Sequence, residues 1–214
     1  MILSKQLKFL EKKMMFLATT VEENFRLAIQ AFVSQDTDLA EKVILSDQKI
    51  DELEIDVEEE CLKTLALYQP VAVDLRMIVS ILKINKDLER IGDLSESLAK
   101  RTKKIANASQ VFHHSAVQDM LNVSFDMFRK SLDAFVNKDV DLARKVSAMD
   151  ENVDNMQKQL YKDLEIKIDS SSLSGELILA YYSLTHSIER IADLSVNICE
   201  DLIYWVEGNV IRHQ

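Results

Sequence analysis

One stretch of this chain is written twice. Residues 31–51, AFVSQDTDLAEKVILSDQKID, return as residues 134–154, AFVNKDVDLARKVSAMDENVD, and KDLERIGDLSESL (86–98) returns as HSIERIADLSVNI (186–198). The offset is 103 positions for the first pair and 100 for the second, so the second copy is three residues shorter between them. The contraction is expected in the loop around Tyr68–Val73, opposite the serine run Ser170–Ser172. A duplication of this size restricts 214 residues to two related units of about 100 residues, whatever each unit is built from.

The units read as helical. Three glycines and one proline leave few of the residues that make tight turns, so the chain has to travel in long helices. Leu121, Phe125, Phe128, Leu132 and Phe135 recur at alternating intervals of four and three, as do Leu142, Val146, Met149, Val153, Met156 and Leu160. Leu39, Val43, Ile50, Leu53 and Val57 mirror them in the first copy. Such stripes bury one face of a helix in a bundle. Asp36 to Asp38 and Asn137 to Asp139 offer caps for the second helix of each copy, and Pro70 suits the approach to a third. The reading is all-α: six long helices at about 3–34, 38–67, 71–105, 117–136, 140–169 and 173–207. They form two tandem, pseudo-symmetric three-helix bundles, 1–106 and 117–214, joined by the linker 107–116, NASQVFHHSA.

Charge narrows the function. A formal net charge of −10 speaks against nucleic acid, which needs clustered Lys and Arg, and against phosphate bound directly without a metal. Cys61 and Cys199 sit on helical patterns with no framework spacing, which suits a reduced, cytoplasmic setting. The longest apolar run near the N-terminus, Met14 to Ala18, is too short for a signal sequence or a membrane span.

The third helix of each copy carries the candidate chemistry. Leu75, Val79, Leu82, Lys86, Glu89 and Asp93 follow one row that begins apolar and turns acidic; Leu179, Tyr182, His186, Glu189, Asp193 and Asn197 repeat it. On the second helices Asp47, Asp51 and Glu54 form a row, matched by Asp150 and Asp154. If second and third helices are neighbours, each bundle gathers four or more carboxylates, whose repulsion Mg²⁺, Mn²⁺, Fe or Zn²⁺ would relieve. Two plainer readings stand beside this one: solvated acidic faces, or ion pairs of Glu89 with Arg90 and of Glu189 with Arg190. His186, His113 and His114 read as surface residues, Tyr181, Tyr182 and Trp205 as packing.

These motifs resemble the PhoU family over nearly the whole chain. The resemblance rests on YQPVAVDLR (68–76), KDLERIGD (86–93), SIERIADLSVNICE (187–200) and the twin AF-x-x-x-D-x-D-L-A segments. It implies two pseudo-symmetric three-helix bundles and a regulator rather than an enzyme. Such a regulator restrains phosphate uptake and phosphate-starvation signalling. The implied partners are the ATPase subunit of the phosphate ABC transporter and a membrane sensor histidine kinase, met peripherally from the cytoplasm, and a homodimer is expected. It also implies metal clusters on E-x-x-x-D motifs, here Glu89–Asp93 and Glu189–Asp193, with Asp47–Asp51, Glu54 and Asp150–Asp154 from the second helices.

The second motif departs from the pattern at Ala192, where Gly92 stands in the first, so a methyl enters a place where close approach of another backbone or partner is expected. Gln157 replaces Glu54, and Ser97 stands where the second copy has Asn197, so the two sites are expected to differ. Two alternatives remain. A carboxylate-bridged, ferritin-like enzyme would use E-x-x-H pairs inside a four-helix core, and none of the four histidines stands three residues after a suitable glutamate. A helical scaffold without metal is the other.

Overall fold

Apolar side chains at intervals of three and four wind into one stripe, and the first helix follows that stripe throughout. In the computed structural model, which describes residues 2–108, 114–170 and 173–209, α1 (Ile2–Ser34) buries Leu10, Met14, Leu17, Val21, Phe25, Ala28 and Phe32. The expected caps then act. Asp36 accepts from the N–H groups of Asp38 and Leu39 at 3.0 and 2.9 Å and starts α2 (Thr37–Tyr68). Its counterpart Asp139 accepts from the N–H of Leu142 at 2.9 Å at the head of α5 (Val140–Ser147). With so few glycines, Gln69 itself takes the left-handed conformation that ends α2, at a φ of 46°, and Pro70 follows it. The remaining helices are α3 (Ala72–Ala106), α4 (His114–Asn137), α6 (Asp150–Asp169) and α7 (Gly175–Glu207).

The six-helix plan stands, with one refinement: the fifth helix is interrupted at Ala148 and Met149, between α5 and α6. There the N–H of Met149 bonds the Val146 carbonyl at 2.9 Å, a tightened turn, and Asp150 becomes the first residue of α6. In the first copy the equivalent Ser46 donates to Asn24 of α1 at 2.6 Å, and α2 runs on unbroken. The second copy has Met149 and Met127 at those two positions, so this polar tie is gone. Two boundaries also shift. α4 begins at His114 rather than 117, while the rest of the expected linker from 109 to 113, with the side chains of His113 and His114, lies outside the described residues. The connection 170–174 is longer than 69–71, so the three-residue contraction is taken from the helix ends; Ser171 and Ser172 lie outside the described residues.

Each half packs three helical segments antiparallel, and the halves meet through their last helices. α3 touches α1, α2 and α7, while α7 touches α4, α5, α6 and α3. Those neighbours explain why α3 is apolar on more than one face, burying Ile78, Ile81, Ile84, Leu88, Ile91 and Leu98. α3 and α7 run in opposite directions. The Ser80 hydroxyl donates to the Asp201 carbonyl and Lys83 to the Asp201 carboxylate, both at 2.8 Å, while Arg101 reaches Ser183. Phe25 of α1 also meets Phe125 and Phe128 of α4, with centroids 5.7 and 6.4 Å apart. Phe25 and Phe128 are equivalent in the two copies, so their contact lies close to the axis relating the halves. No helix among the described residues is long and apolar enough to cross a membrane.

Gly92 shows how closely the helices pack. A methyl there would stand 3.1 Å from two side-chain carbons of the fully buried Ile50 on α2. The second copy has Ala192 and Val153 at the two positions, one methyl gained and one lost. Gly92→Ala is therefore expected to lower the unfolding temperature, since overpacking costs about 1–3 kcal/mol against a helix-propensity gain of about 1 kcal/mol. Adding Ile50→Val should recover about 1 kcal/mol of that loss in a double-mutant cycle by thermal or urea unfolding. Simple additivity of the two changes would refute this account of the packing.

Candidate functional site

Because the inner faces of α3 are occupied by α1, α2 and α7, its acidic row is left at the rim beside α2. Asp47, Asp51 and Asp93 each bring one carboxylate oxygen within 4.8 Å of the other two. Asp51 and Asp93 are exposed, Asp47 is half-buried, and its Oδ1 is sealed from solvent with no hydrogen-bond partner among the described residues. Burial first, then Asp51, Asp93 and Glu96, push the Asp47 carboxyl up to about 6, against a counteracting Lys100. Asp93 is raised by burial, Asp51 and Glu96, and Glu89 by burial and Asp93, with Lys86 opposing. An orphaned, half-buried oxygen amid like charges is a place where a hard cation fits.

The second copy carries the same positions, but among the described residues only the first trio brings its oxygens within 4.8 Å of one another. Burial, Asp193, Asp154 and Glu189 raise Asp150 to about 6, and its Oδ1 is likewise buried without a partner among the described residues. Glu189 and Asp193 are raised, burial being the largest cause in both. His186 Nδ1 lies 3.4 Å from Glu189 Oε2, an ion pair when the imidazole is protonated, and the imidazole itself is exposed. The surroundings differ between copies: Glu96 and Lys100 of the first are Val196 and Glu200 in the second.

Two expected pairings fall out differently. Glu54 is buried and is not one of the three converging carboxylates, although its charge helps to raise Glu89: Lys86 Nζ lies 3.1 Å from its Oε1, and Asn85 donates to that oxygen and to the Glu54 carbonyl, both at 3.0 Å. The equivalent Gln157 donates to the Thr185 carbonyl at 3.4 Å, so this position ties second helix to third in each copy. Arg90 faces Asp87 at 3.6 Å rather than Glu89, because Asp87 is the acid three residues before it on the face toward α7. Tyr181 and Trp205 are buried as expected, whereas Tyr182 is exposed and stacks on Tyr161, with centroids 4.6 Å apart. Glu96 and Lys100 were not singled out from the sequence, although both continue the Glu89–Asp93 row at helical spacing. The two cysteines are free, buried and inert, burial raising both thiols to about 12.

Comparison with known proteins decides the family. A family model described as the PhoU domain matches residues 15–102 and again 117–202. The chain belongs to the PhoU family. The phosphate-specific transport system accessory protein PhoU homolog of Aquifex aeolicus is 36% identical over 216 residues, spanning 100% of this chain and 97% of its own. PhoU homolog 1 of Thermotoga maritima is 35% identical over 94% of this chain and 85% of its own. The crystal structure of PhoU from Pseudomonas aeruginosa superposes with a TM-score of 0.93 at 31% identity, covering 96% of this chain and 99% of that one. Each matched PhoU segment contains one complete set of the acidic positions.

The raised carboxyls set a pH dependence. Asp47 and Asp150 titrate near 6 when folded against an ordinary 3.8, so the folded chain holds protons that the unfolded chain releases between those values. That contribution to stability is complete below about 4 and lost above about 6. In metal-free buffer at pH 7, Asp47→Asn/Asp150→Asn should unfold at higher temperature than wild type. Solvent screening limits the difference to about 1 kcal/mol. The gap should narrow as pH falls below 6, to roughly half at pH 5, and close near pH 4; a variant less stable than wild type at pH 7 would contradict the placement of these charges.

Proposed function

We propose that this chain is an accessory regulator of phosphate-specific transport that restrains phosphate uptake and phosphate-starvation signalling when phosphate is plentiful. The observation carrying the reading is that both halves match the PhoU domain model and that relatives named as transport accessory proteins align over nearly the entire chain. Regulation of this kind works through docking. The proposed partners are the ATPase subunit of the phosphate ABC transporter and a sensor histidine kinase, approached from the cytoplasm, with a homodimer as the working form. Deletion of the gene should raise a phosphate-starvation reporter in high phosphate, and the intact gene should restore repression. Equal reporter output with and without the gene would remove the proposal.

The acidic clusters are proposed metal sites. Asp47, Asp51 and Asp93 would hold a divalent or transition cation in the first half, with Glu89 alongside; Asp150, Asp154, Glu189 and Asp193 would do so in the second. What supports this is the pair of orphaned oxygens on Asp47 and Asp150 and the convergence of the first trio. The bound cation would supply positive charge that cancels repulsion between α2 and α3 and stiffens the rim against which a partner docks. Asp51→Asn/Asp93→Asn should lower metal content measured by elemental analysis after dialysis, while leaving the helical circular dichroism unchanged. Wild-type metal content in that folded variant would remove the first site.

A further inference from the structure

The half-turn relating the two copies turns one groove into an internal control for the other. On one side of the α3–α7 seam, Lys83 Nζ meets Asp201 Oδ1 at 2.8 Å, a pair whose charges cancel. One hundred positions on, the equivalents are Ser183 and Arg101, in contact again, Arg101 Nε donating to Ser183 Oγ at 2.6 Å. Here the acid has become a base and the base a neutral hydroxyl, so cancellation is lost. The other partners of this half-buried guanidinium are uncharged as well: Nη1 donates to the Ser97 carbonyl at 2.8 Å and to the Ser97 hydroxyl. Nη2 has no acceptor among the described residues, and burial without a countercharge holds the group below its usual range.

Arg101 opens onto a groove of about 840 Å³ between the C-terminal half of α3 and the N-terminal half of α7. Lys100, Lys103 and Lys104 line it with Arg101, and Glu176 is the one carboxylate in the described lining. Lys100 and Lys103 are answered by Glu96 and Glu41, but among the described residues no carboxylate pairs with Lys104 or Arg101. Two uncompensated cations thus face one cleft in a chain whose formal charge is −10. The net-charge argument against direct phosphate binding does not reach this cleft, because its lining has the opposite sign.

We propose that this groove binds a phosphate-bearing anion, gripped by the free edge of the Arg101 guanidinium with Lys104 as the second cation. A dianionic phosphate balances two charges at once, and Nη2 keeps both of its N–H groups to donate to phosphate oxygens. The exposed Tyr182 ring, already stacked on Tyr161, gives the groove an aromatic wall on which a nucleobase could lie. Inorganic phosphate and a nucleotide therefore share the anion contact and differ at that wall.

The test is calorimetric titration of the full-length protein in chelator-treated buffer at fixed ionic strength, with inorganic phosphate and ATP in separate experiments. Saturable binding of at least one is expected. Arg101→Met should weaken it at least tenfold, Arg101→Lys by less, and Lys83→Ser in the opposite groove not at all. If Arg101→Met fails to fold by circular dichroism, Lys104→Glu on the exposed side carries the same expectation. ATP binding that exceeds phosphate binding and falls to its level in Tyr182→Ala assigns the nucleotide; equal affinities assign the phosphate group alone. Absence of saturable binding by wild type to either anion, or wild-type affinity in Lys104→Glu, overturns the proposal.

Discussion

The antiparallel contact between α3 and α7 is the constraint from which the rest follows. Each of these helices is enclosed by its own bundle on one side and by the other bundle on the second, so neither can be amphipathic in the ordinary one-faced way. Ile78, Ile81, Ile84, Leu88 and Ile91 line α3, and Leu184, Ile188, Ile191, Leu194 and Ile198 line α7; all are 2% exposed or less. Burying a side chain of this size contributes about 1.5–3 kcal/mol, so these rows dominate the energetics of packing around the two central helices. Ties from Ser80, Lys83 and Arg101 near its two ends then set register, which packing of similar aliphatic side chains alone would leave loose.

That enclosure also decides where the charge goes. With its other faces taken, α3 has room for Glu89 and Asp93 only along the edge that faces α2, where Asp47 and Asp51 wait. The four carboxylates repel one another and are partly stripped of water, yet the helices carrying them cannot separate without exposing the seam and core. Repulsion is therefore held in the folded structure rather than relaxed, visible in the raised carboxyls of both halves. That held repulsion is what supports the proposed cation sites.

Duplication supplied two of everything, and subsequent substitutions gave the halves different characters. Gly92 with Ile50 became Ala192 with Val153, a near-conservation of volume. Glu54 with Asn85 became Gln157 with Thr185, which keeps the tie between the second and third helices but removes a charge. Lys83 with Asp201, set against Ser183 with Arg101, preserves contact and abandons neutrality. The first two changes are what a core tolerates; the third leaves an electrostatic imbalance on one side of the molecule only.

Much of this was legible beforehand. The repeat, the six-helix plan, the capping residues Asp36 and Asp139 and the acidic rows are all local or periodic features, which a linear text records directly. The break at Ala148 and Met149 was not, because helical spacing continues through it and the altered partner, Met127, lies on another helix. Along the sequence Glu54 continues the row of Asp47 and Asp51 toward the next turn. Its carboxylate turned inward instead, since Asn85 and Lys86 of α3 were there to receive it.

What the chain's own order of residues determined was helix, duplication and the placement of acid along each helix, because these depend on neighbours three, four or about a hundred positions away. Only the packed molecule decided which carboxylates converge, which are spoken for and which cation is left without one. Those outcomes depend on distances between residues of different helices, and spacing along one helix carries no information about them.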